Sequence, residues 1–378
     1  MGAPPVGPFA EAWRNHGDRI AALAASGRRF LGYFCTYTPI EMLHAAGFVP
    51  VRILGGGDGV LPLASTLTPA FVCPYLRQAL EKGLRGEYRY LSGLVQGYTC
   101  DGACGVSNVW ELHVPGALYH TVSLPYRDDP EARRFLREAL TELADKLASV
   151  GEPVTAASLE ASLKLYEEIR SLARRLYELR ALGRFSLSAV DFYTVVVAGL
   201  VTPPEQVLAM LRDLVAWAEG SQGAAASPCP GIPVLVSGSV VQELGVLEIL
   251  EACGARIVAD DLCTGWRAFS PARPRAAGES DPVERLMDRH FDRFPCPARR
   301  KVQERALLLA ELAAESGAKG VVFLLQKFCT PHLADLPVVQ ESLRNRGIRS
   351  LMVELEEGGL NEGQLRTRFQ TFLDMLED

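Results

Sequence analysis

The feature that most constrains this chain is an alternation of short apolar runs with amphipathic stretches, present near both ends of the sequence and interrupted by a long helical middle. In the C-terminal part the order is IPVLVSGSV, VQELGVLEILEACG, ARIVADD, RKVQERALLLAELAAESG, GVVFLLQKF, a further helix, and SLMVELE. Apolar runs separated by helical patterns cannot pair through tight hairpins. They predict parallel strands joined by crossover helices.

The N-terminal part repeats the theme. RFLGYFCTYTPIEMLHAAGFVPVRIL (29–54) reads as strand, helix, strand, with the helix closed by Gly47. Pro39 fits the first helical position with Thr38 as N-cap, which puts Glu41 in the first turn, where the helix dipole favours a carboxylate. After the Gly-rich turn at 55–59, FVCPYLRQALEKGLRG places Cys73 before Pro74 at a helix start. YLSGLVQGYTCDGACGVSNVWELH then begins as a strand that breaks at Gly97. Cys100 and Asp101 therefore fall at a strand's carboxyl end, where parallel sheets bind ligands.

From about Asp128 to Glu219 the pattern is helical and reads as a connecting region. The small-residue run SQGAAASPCPG (221–231) marks a boundary. The expected division is an N-terminal α/β domain (1–127), a helical connection (128–225) and a C-terminal α/β domain (226–378). A chain of 378 residues with 48% hydrophobic content is longer than one core comfortably serves.

The net charge of −6 and the lack of a dense basic block with interleaved aromatics exclude a nucleic-acid footprint. The N-terminus has no signal-peptide pattern, and no run approaches the roughly 18 apolar residues of a membrane span, so the expectation is a cytoplasmic protein without a membrane partner. Neither GxxxxGK[ST] nor a strand-linked GxGxxG is found, which leaves ATP and dinucleotides without a motif.

The nine cysteines (35, 73, 100, 104, 229, 253, 263, 296 and 329) are many for a reducing compartment, and an odd number cannot all pair. Cys73, Cys100 and Cys329 each lie where a strand or loop meets a helix start. Helix N-termini depress thiol pKa values, and thiolates suit zinc and iron–sulfur clusters. Against this, free cysteines often simply fill space, and three widely separated ones form no local cluster motif. Both readings stand on position alone. Cys35 and Cys253 read as buried, Cys104 stays open within its CxxxC spacing, and Cys229 and Cys296 read as incidental loop thiols. Asp260 and Asp261, in VADDLCTGWRAF with Cys263 and Arg267, read either as a polar-ligand site or as a solvated helix-capping loop. His332 is a candidate proton donor or a first-turn residue satisfying a backbone group; His44 reads as structural.

Taken in order, TPIEMLHAAGFVPVRI, CPYLR, CDG, a helical middle, IPVLVSGSV with EILEACGARIVADDLCTGWR, and QKFCTPH resemble the 2-hydroxyacyl-CoA dehydratase and benzoyl-CoA reductase superfamily, which includes double-cubane cluster proteins. The similarity runs roughly from Arg29 to Glu357. It implies two Rossmann-like parallel-sheet domains with a [4Fe–4S] cluster between them, held by Cys73, Cys100 and Cys329. It further implies one-electron reduction of an acyl-CoA thioester to a ketyl radical and loss of water, or a benzoyl-CoA reductase-type or small-molecule reduction. Glu41 matches the glutamate of the family's Pro-x-Glu segment, as an acid, base or polar contact. The implied partners are a paralogous second subunit or a second copy of the chain, and a separate ATP-dependent activator with its own cluster. Cys104 departs from the common pattern and leaves a single or a double cubane open.

Overall fold

The computed structural model describes residues 4–56, 59–183, 187–220, 230–270, 281–299, 302–356 and 360–377. Cys229 and most of the run read as a boundary lie outside the described residues. Two short helices, α1 (Gly7–Arg14) and α2 (His16–Ala25), precede the strand–helix–strand unit β1 (Arg29–Tyr33), α3 (Ile40–Ala45) and β2 (Phe48–Arg52). Gly47 takes φ 79°, which lets the chain leave α3 and enter β2 at once without a Cβ clash. Then follow α4 (Ala64–Leu67), α5 (Pro74–Leu84), β3 (Leu91–Gly97), α6 (Asp101–His113) and β4 (Leu118–Val122).

The start of α3 differs from expectation by one residue. The helix opens at Ile40, with Pro39 as the flanking cap. Thr38 does not cap it, because its hydroxyl accepts from the Gly97 amide at 3.1 Å and so belongs to the end of β3.

The helical middle forms as α7 (Pro130–Val150), α8 (Ala156–Ala181), α9 (Ala189–Val201) and α10 (Pro204–Gly220). Its starts are fixed by local chemistry: Asp129 and Ser188 accept from backbone amides, and Thr155 and Ser158 cap one another reciprocally. α8 buries Leu159, Leu163, Tyr166, Ile169, Ala173 and Leu176 at three-to-four spacing and packs on α3, α10 and the later helix over 282–292.

The C-terminal part runs β5 (Ile232–Gly238), α11 (Gly245–Ala252), β6 (Ala255–Asp261), α12 (Trp266–Phe269), α13 (Pro282–Asp292), α14 (Val302–Glu315), β7 (Gly320–Gln326), α15 (Thr330–Arg344), β8 (Arg349–Leu355) and α16 (Glu362–Glu377). The two sheets share one topology, β2-β1-β3-β4 and β6-β5-β7-β8, with every pairing parallel. Every residue of β7 is buried, as expected for a strand covered on both faces.

In this order the chain steps outward from the first strand and then returns past it. Crossovers therefore leave in opposite directions at β1/β3 and at β5/β7, and a crevice opens beyond the carboxyl ends there. At the second switch point a Cβ on Gly238 would run into the Leu324 carbonyl, so the close approach of β5 and β7 requires glycine.

The halves are tied together. The Gly55 amide donates to Gln242 Oε1 at 2.8 Å, and Gln242 Nε2 donates to Gln78 Oε1 at 2.7 Å. One apolar cluster runs from Phe30 and Val51 through Val196 and Leu214 to Val234 and Val322, joining both sheets and the helical middle. Among the described residues no helix is long and apolar enough to cross a membrane.

Candidate metal centre

The carboxyl ends of the two sheets face a common cavity of about 750 Å³. Phe34 and Cys35 after β1, Arg52 at the end of β2, and Thr99 and Cys100 after β3 form one wall. Ser239 after β5, Cys263 after β6 and Gln326, Phe328 and Cys329 at the end of β7 form the other. Two switch points, one from each sheet, thus open into the same space.

Cys73, Cys100 and Cys329 all line this cavity, and each is the N-cap residue of its helix: α5, α6 and α15. Pro74 and Pro331, in the first turns of α5 and α15, have no N–H to leave unsatisfied, which favours helix starts at these points. Cys100 Sγ accepts from the Ala103 amide at 3.4 Å. Before Cys329 the chain turns through Phe328 at φ 63°, the one non-glycine residue with positive φ among those described.

The expected lowering of these thiol pKa values does not occur in the protein alone. Burial pushes Cys73 up to about 12, against hydrogen bonds from the Leu76 and Tyr75 amides. Burial also drives Cys100 and Cys329 well up, and neighbouring cysteines add to the effect: Cys329 on Cys100, and Cys73 and Cys263 on Cys329. Desolvation outweighs the helix N-terminus here. Thiols of this kind ionise when a metal supplies the compensating charge.

Three further thiols line the same space: Cys35, Cys263 and Cys296. Cys35, read from sequence as a buried space-filler, accepts from Thr99 Oγ1 at 3.4 Å and from the Tyr37 amide at 3.5 Å. Cys296, read as an incidental loop thiol, is raised to about 12 by burial, with Arg267 opposing. Cys35 and Cys263 each stand two residues past a strand, the kind of position that singled out Cys100, and that signal was available in the sequence. Cys104 is buried in the first turn of α6 and Cys253 caps the end of α11; neither is among the lining residues.

Among the described residues no three His, Cys, Asp or Glu side chains close around a single ion. The thiols are spread along the cavity wall. A polynuclear cluster interposes several metal atoms between its thiolates and takes more widely spaced ligands than one ion does.

The charge around the cavity also fits an anionic group. Arg52 lines the cavity, Arg293 lines the separate cavity beside Glu41, and Arg299 directly follows the lining residue Ala298; they are 2%, 5% and 3% exposed, and among the described residues none forms an ion pair with a carboxylate. Each lies over a tyrosine ring, at 5.7 Å from Tyr33, 4.4 Å from Tyr37 and 4.0 Å from Tyr126. Arg293 donates to the Thr36 and Arg267 carbonyls and Arg299 to those of Tyr98 and Pro125. Buried cations without acids are costly unless something negative lies near them. Soft donors with a buried guanidinium, Arg52, on the cavity wall together suit an iron–sulfur cluster.

The other candidates go elsewhere. Glu41 is buried beside a separate cavity of about 70 Å³, where it faces Arg170 and Arg289. Asp260 and Asp261 are neither solvated nor open to a ligand. Asp260 accepts from the Tyr177 and Tyr193 hydroxyls at 2.7 and 2.8 Å and from the Leu262 and Trp266 amides at 3.0 and 2.8 Å. Asp261 pairs with Arg305 at 2.6 Å and Arg267 at 3.1 Å. His332 lines the thiol cavity with its Nε2 within 3.4 Å of the Arg267 guanidinium, and burial followed by Arg267 holds it well below the usual histidine range, hence neutral. His44 contacts Ser162 at 2.8 Å and Glu205 at 3.1 Å, a structural setting.

A doubled parallel α/β fold with thiols gathered at facing switch points defines a class of two-sheet proteins with a thiol-lined centre. Residues 35–376 match the family model described as 2-hydroxyglutaryl-CoA dehydratase, D-component, and the chain belongs to that family of enzyme subunits. It is similar to one of the subunits of benzoyl-CoA reductase from Thauera aromatica, with 28% identity over 94% of this chain and 92% of the relative. It is likewise similar to the beta subunit of lactoyl-CoA dehydratase from Anaerotignum propionicum (28% identity, 93% of each chain). The (R)-phenyllactyl-CoA dehydratase beta subunit of Clostridium sporogenes is 27% identical over 93% of this chain and 92% of its own.

Proposed function

We propose that the chain is the iron–sulfur subunit of a 2-hydroxyacyl-CoA dehydratase-like enzyme, which reduces an acyl-CoA thioester by one electron at low potential to a ketyl radical that then loses water. The observation that carries this reading is the convergence of Cys73, Cys100 and Cys329, from three helix starts and both sheets, on one cavity. In this reading residues 1–127 supply two ligands, 226–378 the third, and 128–225 join them. A [4Fe–4S] cluster bound there supplies a one-electron donor and a Lewis-acidic iron. The chain's own part is to hold the thiolates, exclude water and set a buried cation, Arg52, on the cavity wall. Glu41 belongs to the same reading as a candidate acid or base.

All three relatives are named as subunits, two of them as beta subunits, which supports a paralogous second subunit as partner. In this reading ATP hydrolysis belongs to a separate activator protein in the cytoplasm, which agrees with the lack of a nucleotide motif in this chain. Anaerobic purification with iron analysis of Cys73→Ala, Cys100→Ala and Cys329→Ala tests the ligand set. Each is expected to lose most of its iron, and unchanged iron in all three would sink the reading.

Six thiols on one cavity favour a second reading: a double-cubane cluster in a homodimer that reduces small molecules. Cys35→Ala, Cys263→Ala and Cys296→Ala then lower iron as well, from about eight to about four atoms per chain. Calorimetry with an acyl-CoA separates the readings by substrate, since clear binding favours the dehydratase or a benzoyl-CoA reductase-type subunit.

A further inference from the structure

Arg52 ends β2, is 2% exposed and lines the thiol cavity. Its Nε and Nη1 find no hydrogen-bond partner among the described residues. The groups that act on it most are the Tyr75 phenol, which lies within hydrogen-bonding reach of it, the Tyr33 phenol and the Cys263 and Cys35 thiols, and no carboxylate is among them. The other buried guanidiniums on this side of the fold have more of their donors engaged by the chain, Arg267 by Asp261 and Arg293 and Arg299 by backbone carbonyls, with only the Nε of each left without a hydrogen bond among the described residues.

A buried guanidinium with two unpaired nitrogens is strongly disfavoured unless its surroundings hold a negative group. β2 is buried along its whole length, and its carboxyl end opens on the crevice.

We propose that Arg52 is the counter-charge of the cluster, a residue that touches no ligand thiol through a metal bond but sets the cluster's reduction potential and stabilises its reduced form. This rests on the iron–sulfur reading above. A fixed cation beside a redox centre stabilises the state with the extra electron, and the low dielectric of a buried site strengthens that effect. The N–H groups on the two unpaired nitrogens also suit the sulfur atoms of a cluster, whose potential responds to hydrogen bonds. The position therefore serves the first electron's arrival, with the electron supplied by an external low-potential donor.

The test is a redox titration with titanium(III) citrate, followed by electron paramagnetic resonance, on anaerobically prepared wild type, Arg52→Lys and Arg52→Gln, each assayed for iron. Wild type and Arg52→Lys are expected to titrate close together. Arg52→Gln is expected to keep its iron and to need a more negative potential, with the reduced-to-oxidised ratio at fixed potential about tenfold lower, about 59 mV for one electron. Loss of iron from the folded glutamine variant alone would also support a charge requirement. An unmoved potential in Arg52→Gln, or a lysine variant as impaired as the glutamine one, would overturn the proposal. So would a glutamine variant that fails to fold even without metal, because the guanidinium would then serve the chain and not its occupant. Absence of iron from the wild type would instead remove the iron–sulfur reading itself.

Discussion

Nη1 of Arg170 donates to Oε1 of Glu41 at 2.7 Å, joining the first turn of α3 to α8 across 129 residues of sequence. Both side chains are buried, and Arg289 stands 3.5 Å from the same oxygen. Glu41→Gln leaves two guanidiniums facing a neutral amide, and breaking a buried pair costs about 3–5 kcal/mol. Denaturant unfolding should show a loss of that order. If Glu41 also acts as an acid or base, turnover falls further than the folded fraction explains. A folded glutamine variant with full turnover would confine Glu41 to its structural task.

The same pair sets an acid dependence. Burial pushes the Glu41 carboxyl up, but Arg170 and Arg289 together pull it further down, so it ends below its ordinary 4.5. A carboxyl lowered by folding contributes its stability above the ordinary value and loses it as pH falls through the folded value. The gap in melting temperature between wild type and Glu41→Gln should therefore be constant near neutrality and shrink below about pH 4.5. A gap that stays level to about pH 3 would contradict the assignment.

Asp261 holds two buried cations at the end of β6, Arg305 at 2.6 Å and Arg267 at 3.1 Å, with Ser237 Oγ donating at 3.0 Å. Asp261→Asn should cost about 3–5 kcal/mol, because Arg267 loses its charge partner and Arg305 keeps only the longer contact to Asp335 at 3.9 Å. Adding Arg305→Met should recover part of that loss, and a double-mutant cycle measures the coupling. Strict additivity would show that the pair does not act as a unit.

Phe328 occupies the left-handed region directly before Cys329. Glycine tolerates that conformation, whereas a β-branched residue does not. Phe328→Val is expected to be less stable than Phe328→Gly by at least about 1 kcal/mol, measured on metal-free protein to keep the thiol chemistry apart. Equal stabilities would mean that the turn relaxes to another conformation.

Much of this architecture was legible because parallel strands are continuous apolar runs: Val234–Val236 and Val321–Leu325 declare themselves without any alignment. β4 did not, since LYHTV is short and half-polar and depends on β3 for its pairing. The same limit applies to α1 and α2, whose apolar faces become meaningful only against α9 and the first sheet. At the candidate centre the three helix-start cysteines were legible from Pro74, Asp101 and Pro331. Cys35 and Cys263 carried the same strand-end signal without a helix start beside them, and Cys296 carried none; the facing of the two sheets brings all three to one cavity. Asp260 shows the reason most plainly: its partner Tyr177 comes from the helical middle, 83 residues earlier, so no local pattern could reveal that the carboxylate is buried. The helical middle, read as a connection, in fact supplies Arg170 and Tyr177 to fix both halves.

Whether Cys73, Cys100 and Cys329 bind one iron–sulfur cluster in the cavity between the two sheets is decided by anomalous diffraction at the iron edge from anaerobically grown crystals. Iron peaks are expected within that cavity, bonded to the three sulfurs, with further peaks at Cys35, Cys263 and Cys296 if the cluster is doubled. Thiols without iron, bound instead to a lone zinc ion or joined in disulfides, would contradict the assignment.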